Sequence, residues 1–300
     1  MRRLHADLAL LLTAAIWGLA FVFQKSAMSH IGPLTFIAAR GLVAALALAP
    51  LALWERRTAG AETAGVEASS GAVWPIAVCG GIAFFIAAML QQTGLVTATV
   101  TNTGFLTALY VVVTPFVVWA WSGAPPRAVV WPAAVISAVG TWLLGGGELA
   151  SFSRGDVLVA LSATFWAVHV VITGRGSRYR RPLTFTAVQF AVVAALGATA
   201  AGLCETISLA GLRAAAPDIA FVGLLSSALT FTILTVALQY APPAEAAVIV
   251  SMETVFAAIA AYVLLGERLP DVGWIGAIMM LLATLIVQLG AQPARRPASP

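Results

Sequence analysis

The sequence predicts an all-helical membrane protein built from two five-helix repeats, and three observations support this prediction. Of the 300 residues, 61% are hydrophobic and only 9% are charged, whereas soluble domains carry about 25% charged residues. The apolar residues form ten windows, each near the length of about 20 residues that a bilayer requires. The third observation is an internal repeat, since the segment Pro-Leu-Thr-Phe at 33–36 recurs at 182–185.

The ten predicted spans follow one another through short connections that are rich in Gly, Pro and charged residues. They cover residues 7–29, 33–54, 74–97, 99–121, 127–146, 156–174, 182–203, 216–238, 244–265 and 270–290. Pro33, Pro182 and Pro270 stand at or near span starts, where the missing N–H of proline removes no helical hydrogen bond. The longest connection, residues 55–73, is predicted to be a solvated linker because of its Ala, Gly, Ser and Glu content.

The repeat extends over most of the chain. Identical residues recur 149 positions apart early in each copy and 143 positions apart later, as in Asp7/Asp156, Trp17/Trp166, Trp131/Trp274 and Thr141/Thr284. We assign residues 1–148 to the first five-helix repeat, 149–292 to the second and 293–300 to a cytoplasmic tail. Such internal duplication at low charge is typical of membrane proteins that work by moving one repeat against the other.

The Lys and Arg residues of alternate loops predict the orientation in the membrane. One side collects eleven of them: Arg2, Arg3, Arg56, Arg57, Arg127, Arg175, Arg178, Arg180, Arg181, Arg295 and Arg296. The other side holds four: Lys25, Arg154, Arg213 and Arg268. Loops rich in Lys and Arg stay on the cytoplasmic side of the membrane. The side with eleven basic residues includes both ends of the sequence, so both termini are predicted to be cytoplasmic. Five spans per repeat is an odd number, so the second repeat is expected to have inverted topology.

Polar residues form stripes within several spans. On a helix the spacing i, i+4, i+7, i+11 keeps residues on one face. That spacing relates Thr13, Trp17, Ala20 and Gln24; Ser162, Trp166, His169 and Thr173; Thr103, Thr107, Tyr110 and Thr114; and Ala246, Val250, Glu253 and Ala257. The third span adds Gln91 and Gln92, and the eighth adds Thr232, Thr235 and Gln239. Polar stripes avoid lipid, so they predict either interhelical hydrogen bonds or the lining of one shared cavity, and their repetition favours the cavity.

Arg40 and Glu253 are ionisable residues within predicted spans, at estimated depths that are close to each other. One hypothesis is a structural ion pair between them. The other makes Glu253 a site for a proton or an amine and Arg40 a site for a carboxylate, which guanidinium groups bind bidentately. Pro115 removes a backbone hydrogen bond from the fourth span and predicts a kink there, either static or acting as a hinge.

The candidate substrate-binding residues combine these polar groups with aromatic walls. They are Trp17, Arg40, Gln92, Thr107, Tyr110, Trp166, His169, Gln189 and Glu253. We expect substrate recognition where the two repeats differ, as at Arg40 against Gln189 and Tyr110 against Glu253.

Other functional classes find little support in the residues. The sequence has no metal-ligand cluster, nucleophile–base pair or phosphate loop, so we expect neither an enzyme nor a bound cofactor or metal. The arginines are scattered over short loops, which argues against a nucleic-acid partner. Cys79 and Cys204 lie within or at the edge of apolar segments and are predicted to be small buried apolar residues.

Three runs in the second half carry a family resemblance. Residues 240–247 (Tyr-Ala-Pro-Pro-Ala-Glu-Ala-Ala), 251–258 (Ser-Met-Glu-Thr-Val-Phe-Ala-Ala) and 265–269 (Leu-Gly-Glu-Arg-Leu) resemble the EamA type of the drug/metabolite transporter superfamily, as does 104–112 in the first half. The first repeat departs from the closing motif with Gly-Ala-Pro-Pro at 123–126. For this reason we expect Glu267 to act in a turn or cap and not in transport.

The resemblance implies a multi-pass secondary transporter of the bacterial inner membrane that exports small metabolites by alternating access. Amino acids are the expected substrates, and the aromatic walls favour aromatic or other hydrophobic ones. The alternatives are export of another metabolite or drug class, or a channel. The expected partners are a small molecule and the lipid bilayer, with protons as a candidate coupling ion, and the internal symmetry is compatible with a monomer.

Overall fold

A computed structural model describes residues 3–58, 73–144, 153–268 and 271–290, and every regular element in these ranges is helical. The long helices are α1 (Arg3–Ala27), α2 (Pro33–Thr58), α3 (Val73–Leu95), α4 (Val100–Ser122), α5 (Val130–Leu144), α6 (Arg154–Gly176), α7 (Pro182–Cys204), α8 (Ala216–Ala237), α9 (Pro243–Leu265) and α10 (Asp271–Gly290). A short helix, Leu209–Ala214, precedes α8.

Nine of the helices in the described ranges are long and apolar enough to cross a membrane. The exception, α5, is described over 15 residues, and the predicted fifth span continues to 145–146, outside the described residues. Pro270, most of the predicted linker and the predicted tail at 293–300 also lie outside them. Residues 55–58 were predicted to belong to that linker, but they continue α2.

The helices pack in pairs that relate the two halves to each other. The most extensive contacts join α2 to α7, α3 to α6, α5 to α10 and α1 to α9. In the repeat, α1 corresponds to α6 and α4 corresponds to α9. The contact of α1 with α9 therefore has a counterpart in the contact of α6 with α4, which is also present. Exchanging the two halves leaves the α2–α7 and α5–α10 pairs unchanged. The core therefore lies between the halves and not within either one.

Two glutamates cap the α2–α7 pair reciprocally. Glu55, near the end of α2, accepts the backbone N–H groups of Leu183 and Thr184 at 3.1 and 2.8 Å, at the start of α7. Glu205, just after α7, accepts the N–H groups of Leu34 and Thr35 at 2.8 Å each, at the start of α2. A carboxylate is favourable at a helix N-terminus because it meets unpaired N–H groups and the positive end of the dipole. Two such contacts at opposite ends fix α2 and α7 as an antiparallel pair.

A buried carboxylate ties the starts of three helices together at one end of the bundle. Glu245 of α9 is fully buried and lies 2.8 Å from Arg3 Nη1 and 3.2 Å from Arg127 Nη1. Arg3 Nε also lies 2.8 Å from Asp7. The buried carboxylates of Glu245 and Asp7 thus each have a cationic partner, which offsets the cost of burying a charge.

The two cysteines are not buried, contrary to the prediction from their apolar surroundings. Cys79 in α3 and Cys204 at the end of α7 are both free and exposed. Many leucines are exposed in the same way, among them Leu46 at 64% and Leu203 at 81%. Apolar sequence around a residue predicts burial in a soluble protein, whereas in a membrane-spanning helix it is equally compatible with a lipid-facing position.

Candidate functional site

Two helices are interrupted at equivalent positions in the two repeats. In α4 the α-helical geometry stops at Thr107 and resumes at Tyr110, and in α9 it stops at Val250 and resumes at Glu253. The spacing of 143 residues is that of the repeat. At both breaks the helix tightens into i→i−3 hydrogen bonds, for example from Thr254 N–H to Ser251 O at 3.1 Å. Interrupted helices in corresponding positions are typical of membrane binding sites.

Pro115 does not explain the interruption of α4. It lies within the second half of α4, beyond the break at residues 108–109. The equivalent position in α9 is Ala258, yet α9 breaks in the same way. The interruption is therefore a property of the repeat and not of the proline.

Tyr110 and Glu253, the first residues after the two breaks, face each other at a central cavity. The Tyr110 hydroxyl and the Glu253 carboxyl group interact electrostatically, and both side chains are buried. The cavity is small, with a volume of about 50 Å³, below the range of typical small-molecule sites. The lining consists of Trp17, Phe21, Gln24, Arg40, Gln91, Thr107, Tyr110, Trp166, His169, Val170, Ser226, Phe231 and Glu253.

The cavity brings together most of the residues that the stripes indicated. Seven of the nine candidates line it: Trp17, Arg40, Thr107, Tyr110, Trp166, His169 and Glu253. Gln92 does not line it and lies against Met28, with Nε2 4.0 Å from the sulfur. Its neighbour Gln91 lines the cavity instead, because adjacent residues on a helix point in different directions. Gln189 also lies outside the lining, but it contacts His169.

Aromatic rings form one wall of the cavity. The Phe231 ring centroid lies 4.6 Å from that of Trp17 and 5.0 Å from that of Phe84, which in turn lies 5.0 Å from Trp166. Trp17 is fixed by hydrogen bonds from Nε1 to Ser226 O at 3.0 Å and to the Thr230 hydroxyl at 2.7 Å. Trp166 Nε1 is buried and has no hydrogen-bond partner among the described residues, so this N–H group is available to donate a hydrogen bond to a ligand.

The middle of α8 is a π-helix, which the sequence did not indicate. It covers Phe221–Leu229, a rare geometry that is frequent at functional sites. Within it the Ser226 carbonyl accepts the Trp17 hydrogen bond, and the Ser227 hydroxyl accepts one from Arg40 Nε at 3.1 Å. Thr232 and Thr235, the polar residues predicted to face the cavity, instead donate to carbonyls of their own helix.

Arg40 does not pair with Glu253, so the structural ion pair hypothesised from the sequence is not formed. The three ion pairs among the described residues all involve Arg3 or Arg127. Arg40 is held by Ser227, by Gln24 Oε1 at 3.4 Å from Nη1, and by the Phe84 ring at 5.4 Å. The cavity therefore presents a buried guanidinium and a buried carboxyl group that do not neutralise each other.

His169 is oriented by a residue behind the lining. Its Nε2 lies 2.8 Å from Gln189 Oε1, and because that oxygen only accepts, Nε2 carries the proton. Nδ1 is buried without a partner in the described part of the chain. Gln189 is thus a positioning residue for His169.

The described residues contain no group of three or more His, Cys, Asp or Glu side chains that could hold a metal ion. The residues that line the cavity offer groups for ion pairing, hydrogen bonding and aromatic contact.

Comparison with known proteins identifies the class of this architecture. The model of the EamA-like transporter family matches residues 4–146 and again residues 153–289. An uncharacterized transporter from Archaeoglobus fulgidus is 30% identical over 96% of this chain and 87% of its own length. The uncharacterized transporter YwfM from Bacillus subtilis is 24% identical, over 94% and 93% of the two chains. A solved structure with 17% identity covers 97% of this chain and 98% of its own with a TM-score of 0.74, which shows the fold.

Proposed function

This chain belongs to the EamA-like transporter family, and on that premise we propose that it exports amino acids with hydrophobic or aromatic side chains. The family membership makes the chain a multi-pass membrane transporter and not an enzyme. The substrate, the direction and the membrane are our proposal: small zwitterions leave the cytoplasm across a bacterial inner membrane.

The observation that carries this proposal is the separation of Arg40 from Glu253 in one cavity. A guanidinium binds a carboxylate through two parallel hydrogen bonds, and a carboxylate attracts an ammonium group. A zwitterion bound between them would neutralise both groups at once, which removes the penalty of burying each without a partner. The lining rings of Trp17, Trp166 and Phe231 would then contact the side chain of the substrate.

We propose ten spans in two inverted repeats, with both termini in the cytoplasm. The reciprocal caps of Glu55 and Glu205 support this topology, since equivalent helices of the two halves run antiparallel. The contacts between the halves, which an exchange of the repeats preserves, support it as well. In such a protein each repeat can adopt the conformation that its twin has left, which produces alternating access.

Protons are the coupling ion that fits this cavity best. Glu253 is the one carboxyl group among the lining residues of the described chain. A proton and a substrate amine would compete for it, so binding of one would release the other. Exchange between proton and substrate follows directly from this competition.

Transport by the purified protein in liposomes tests the proposal. We expect saturable uptake of phenylalanine and leucine with trans-stimulation, and a loss of at least about tenfold with their methyl esters or with the corresponding amines, since each lacks one charge. Arg40→Gln and Glu253→Gln are expected to lower uptake of the intact amino acids by a similar factor. Arg154→Gln, at an exposed arginine outside the cavity, is the matched control.

Two results would contradict the amino-acid proposal. Non-saturating flux without trans-stimulation would indicate a channel. Saturable transport of lipophilic cations that is insensitive to Arg40→Gln would assign the chain to the export of drugs.

A further inference from the structure

A second cavity lies at the end of the bundle where α4, α6 and α8 end and α9 begins. It has a volume of about 1040 Å³, is partly open to the surroundings and shares no lining residue with the central cavity. Arg175, Arg178 and Arg180 line it, and we call these three residues the arginine vestibule.

No carboxylate in the described part of the chain neutralises the positive charge of the arginine vestibule. The lining contains no Asp or Glu, and within residues 3–58, 73–144, 153–268 and 271–290 no carboxylate lies within ion-pair distance of the three arginines. The carboxylate of Glu245 on the neighbouring helix α9 is already held between Arg3 and Arg127. Three guanidinium groups thus share one cavity and attract anions to it.

The backbone that carries these arginines is held in a defined turn. Arg175 lies over the ring of Trp121, with its guanidinium carbon 4.7 Å from the ring centroid, an arrangement that fixes the orientation of a guanidinium. The turn after α6 closes through a hydrogen bond from Arg180 N–H to Ser177 O at 3.1 Å. Arg180 has a φ of 55°, a left-handed conformation that non-glycine residues adopt only where surrounding contacts impose it.

We propose that the arginine vestibule binds a phosphate group, either as a free anion or as the headgroup of an anionic lipid. A single carboxylate would neutralise one of the three charges, whereas a phosphate carries up to two charges and offers three oxygens to the planar guanidinium forks. Basic residues that only set the orientation in the membrane act as a summed charge. They need neither a common cavity nor an aromatic support.

Binding measurements on the purified full-length protein in a neutral detergent test this proposal in two arms. One arm titrates inorganic pyrophosphate, and the other titrates dihexanoyl phosphatidic acid, with dihexanoyl phosphatidylcholine as the zwitterionic reference. We expect saturable binding in at least one arm, weakened at least tenfold by the double variant Arg178→Gln/Arg180→Asn. Asparagine is chosen at position 180 because it tolerates the left-handed conformation.

Two further double variants separate a phosphate site from a general charge effect. Arg178→Lys/Arg180→Lys keeps the charge but removes the bidentate fork, and we expect an intermediate loss of affinity. Arg56→Gln/Arg57→Gln removes the same charge from the end of α2, outside the vestibule, and should leave binding unchanged. Size-exclusion profiles identical to that of the parent protein establish that each variant is folded.

The pattern of binding shows whether the arginine vestibule binds a phosphate group and from which kind of molecule. Binding of phosphatidic acid alone identifies a lipid headgroup as the ligand, whereas binding of pyrophosphate, with or without phosphatidic acid, identifies a site for free phosphate compounds. Absence of binding in both arms, or an equal loss in the Arg56/Arg57 variant, would overturn the proposal. No transport substrate is present in these titrations, so their result is independent of the proposed amino-acid export.

Discussion

Arg40 shows how a single residue can be kept charged within a membrane-spanning bundle. It is only 3% exposed, and an isolated buried charge is unfavourable by several kcal/mol. Part of this penalty is offset by the Ser227 hydroxyl, the Gln24 amide oxygen and the face of the Phe84 ring. These contacts are polar or polarisable but neutral. They orient the guanidinium and leave its charge for a ligand.

Gln91 and Gln92 are adjacent in α3, but only Gln91 lines the cavity. Gln91 Nε2 donates to the Thr107 hydroxyl at 2.8 Å, and both groups face the cavity. We expect Gln91→Leu to leave Thr107 without this partner and to raise the KM of transport about tenfold. Initial-rate measurements in liposomes give the KM directly.

The neighbouring substitution is the control for this prediction. Gln92→Leu changes the side chain in the same way at a position that faces Met28. The KM is expected to stay within about twofold of the parent value, since Gln92 is buried away from the cavity and does not line it. Equal increases in both variants would contradict the assignment of Gln91 to the cavity.

At the scale of single helices, the interruptions of α4 and α9 depend on contacts that local sequence does not reveal. The break residues are Ala108 and Leu109 in one repeat and Ser251 and Met252 in the other. None of them is a glycine or a proline, the residues that mark helix breaks in sequence. The two interrupted helices also contact each other near the breaks, where the Thr254 hydroxyl donates to the carbonyl of Gly104 at 3.3 Å. The repeat could have indicated that both helices share a feature, but not that they break.

Helices α1 and α9 approach each other closely at Gly18. A Cβ atom at Gly18 would lie 2.6 Å from both the carbonyl oxygen of Glu253 and the amide nitrogen of Ala257. These are backbone atoms, so Gly18→Val must push the two helices apart. We expect the unfolding free energy to fall by about 1–3 kcal/mol, measured by thermal unfolding in detergent.

A glycine in open space serves as the control for Gly18. A Cβ at Gly202 of α7 would meet no atom within 4 Å, so Gly202→Val is expected to change the unfolding free energy by less than about 0.5 kcal/mol. A Gly18→Val variant as stable as Gly202→Val would show that α1 and α9 can separate there without loss.

The reciprocal caps of α2 and α7 give a second prediction at this scale. Glu55→Gln and Glu205→Gln each remove the charge at a helix N-terminus, and each should lower the unfolding free energy by about 0.5–2 kcal/mol. The caps are separated by helices of 26 and 23 residues, which is over about 30 Å. The effects are therefore expected to add in the double variant, and denaturant unfolding of the three variants measures this. A double variant no less stable than either single variant would contradict two independent caps.

At the scale of the whole molecule, the helix positions followed from the sequence because lipid imposes a strict length and polarity. The window 182–203 was predicted and α7 covers Pro182–Cys204, and 216–238 was predicted where α8 covers Ala216–Ala237. The residues that line the cavity could be predicted from the sequence only in part. Polar residues in a span are conspicuous, whereas Phe231 in the lining and Phe84 behind it cannot be distinguished by sequence from the exposed Phe116. The ring contacts of these two residues depend on helix rotation and on the π-helix of α8, which no local pattern indicates.

The inverted topology that we propose for the two repeats predicts on which side of the membrane equivalent positions lie. Ser29 follows α1, and Arg178, which lies 149 residues further on, follows α6; both are exposed. In the proposed topology five spans separate them, and this odd number would place the two equivalent positions on opposite sides of the membrane. Cys79→Ala and Cys204→Ala first remove the native thiols, because both are exposed. An impermeant thiol reagent applied to intact cells is then expected to label Ser29→Cys, and to label Arg178→Cys only after the membrane is permeabilised. Labelling of both positions from the same side would contradict the inverted topology and, with it, the alternating access that we derive from it.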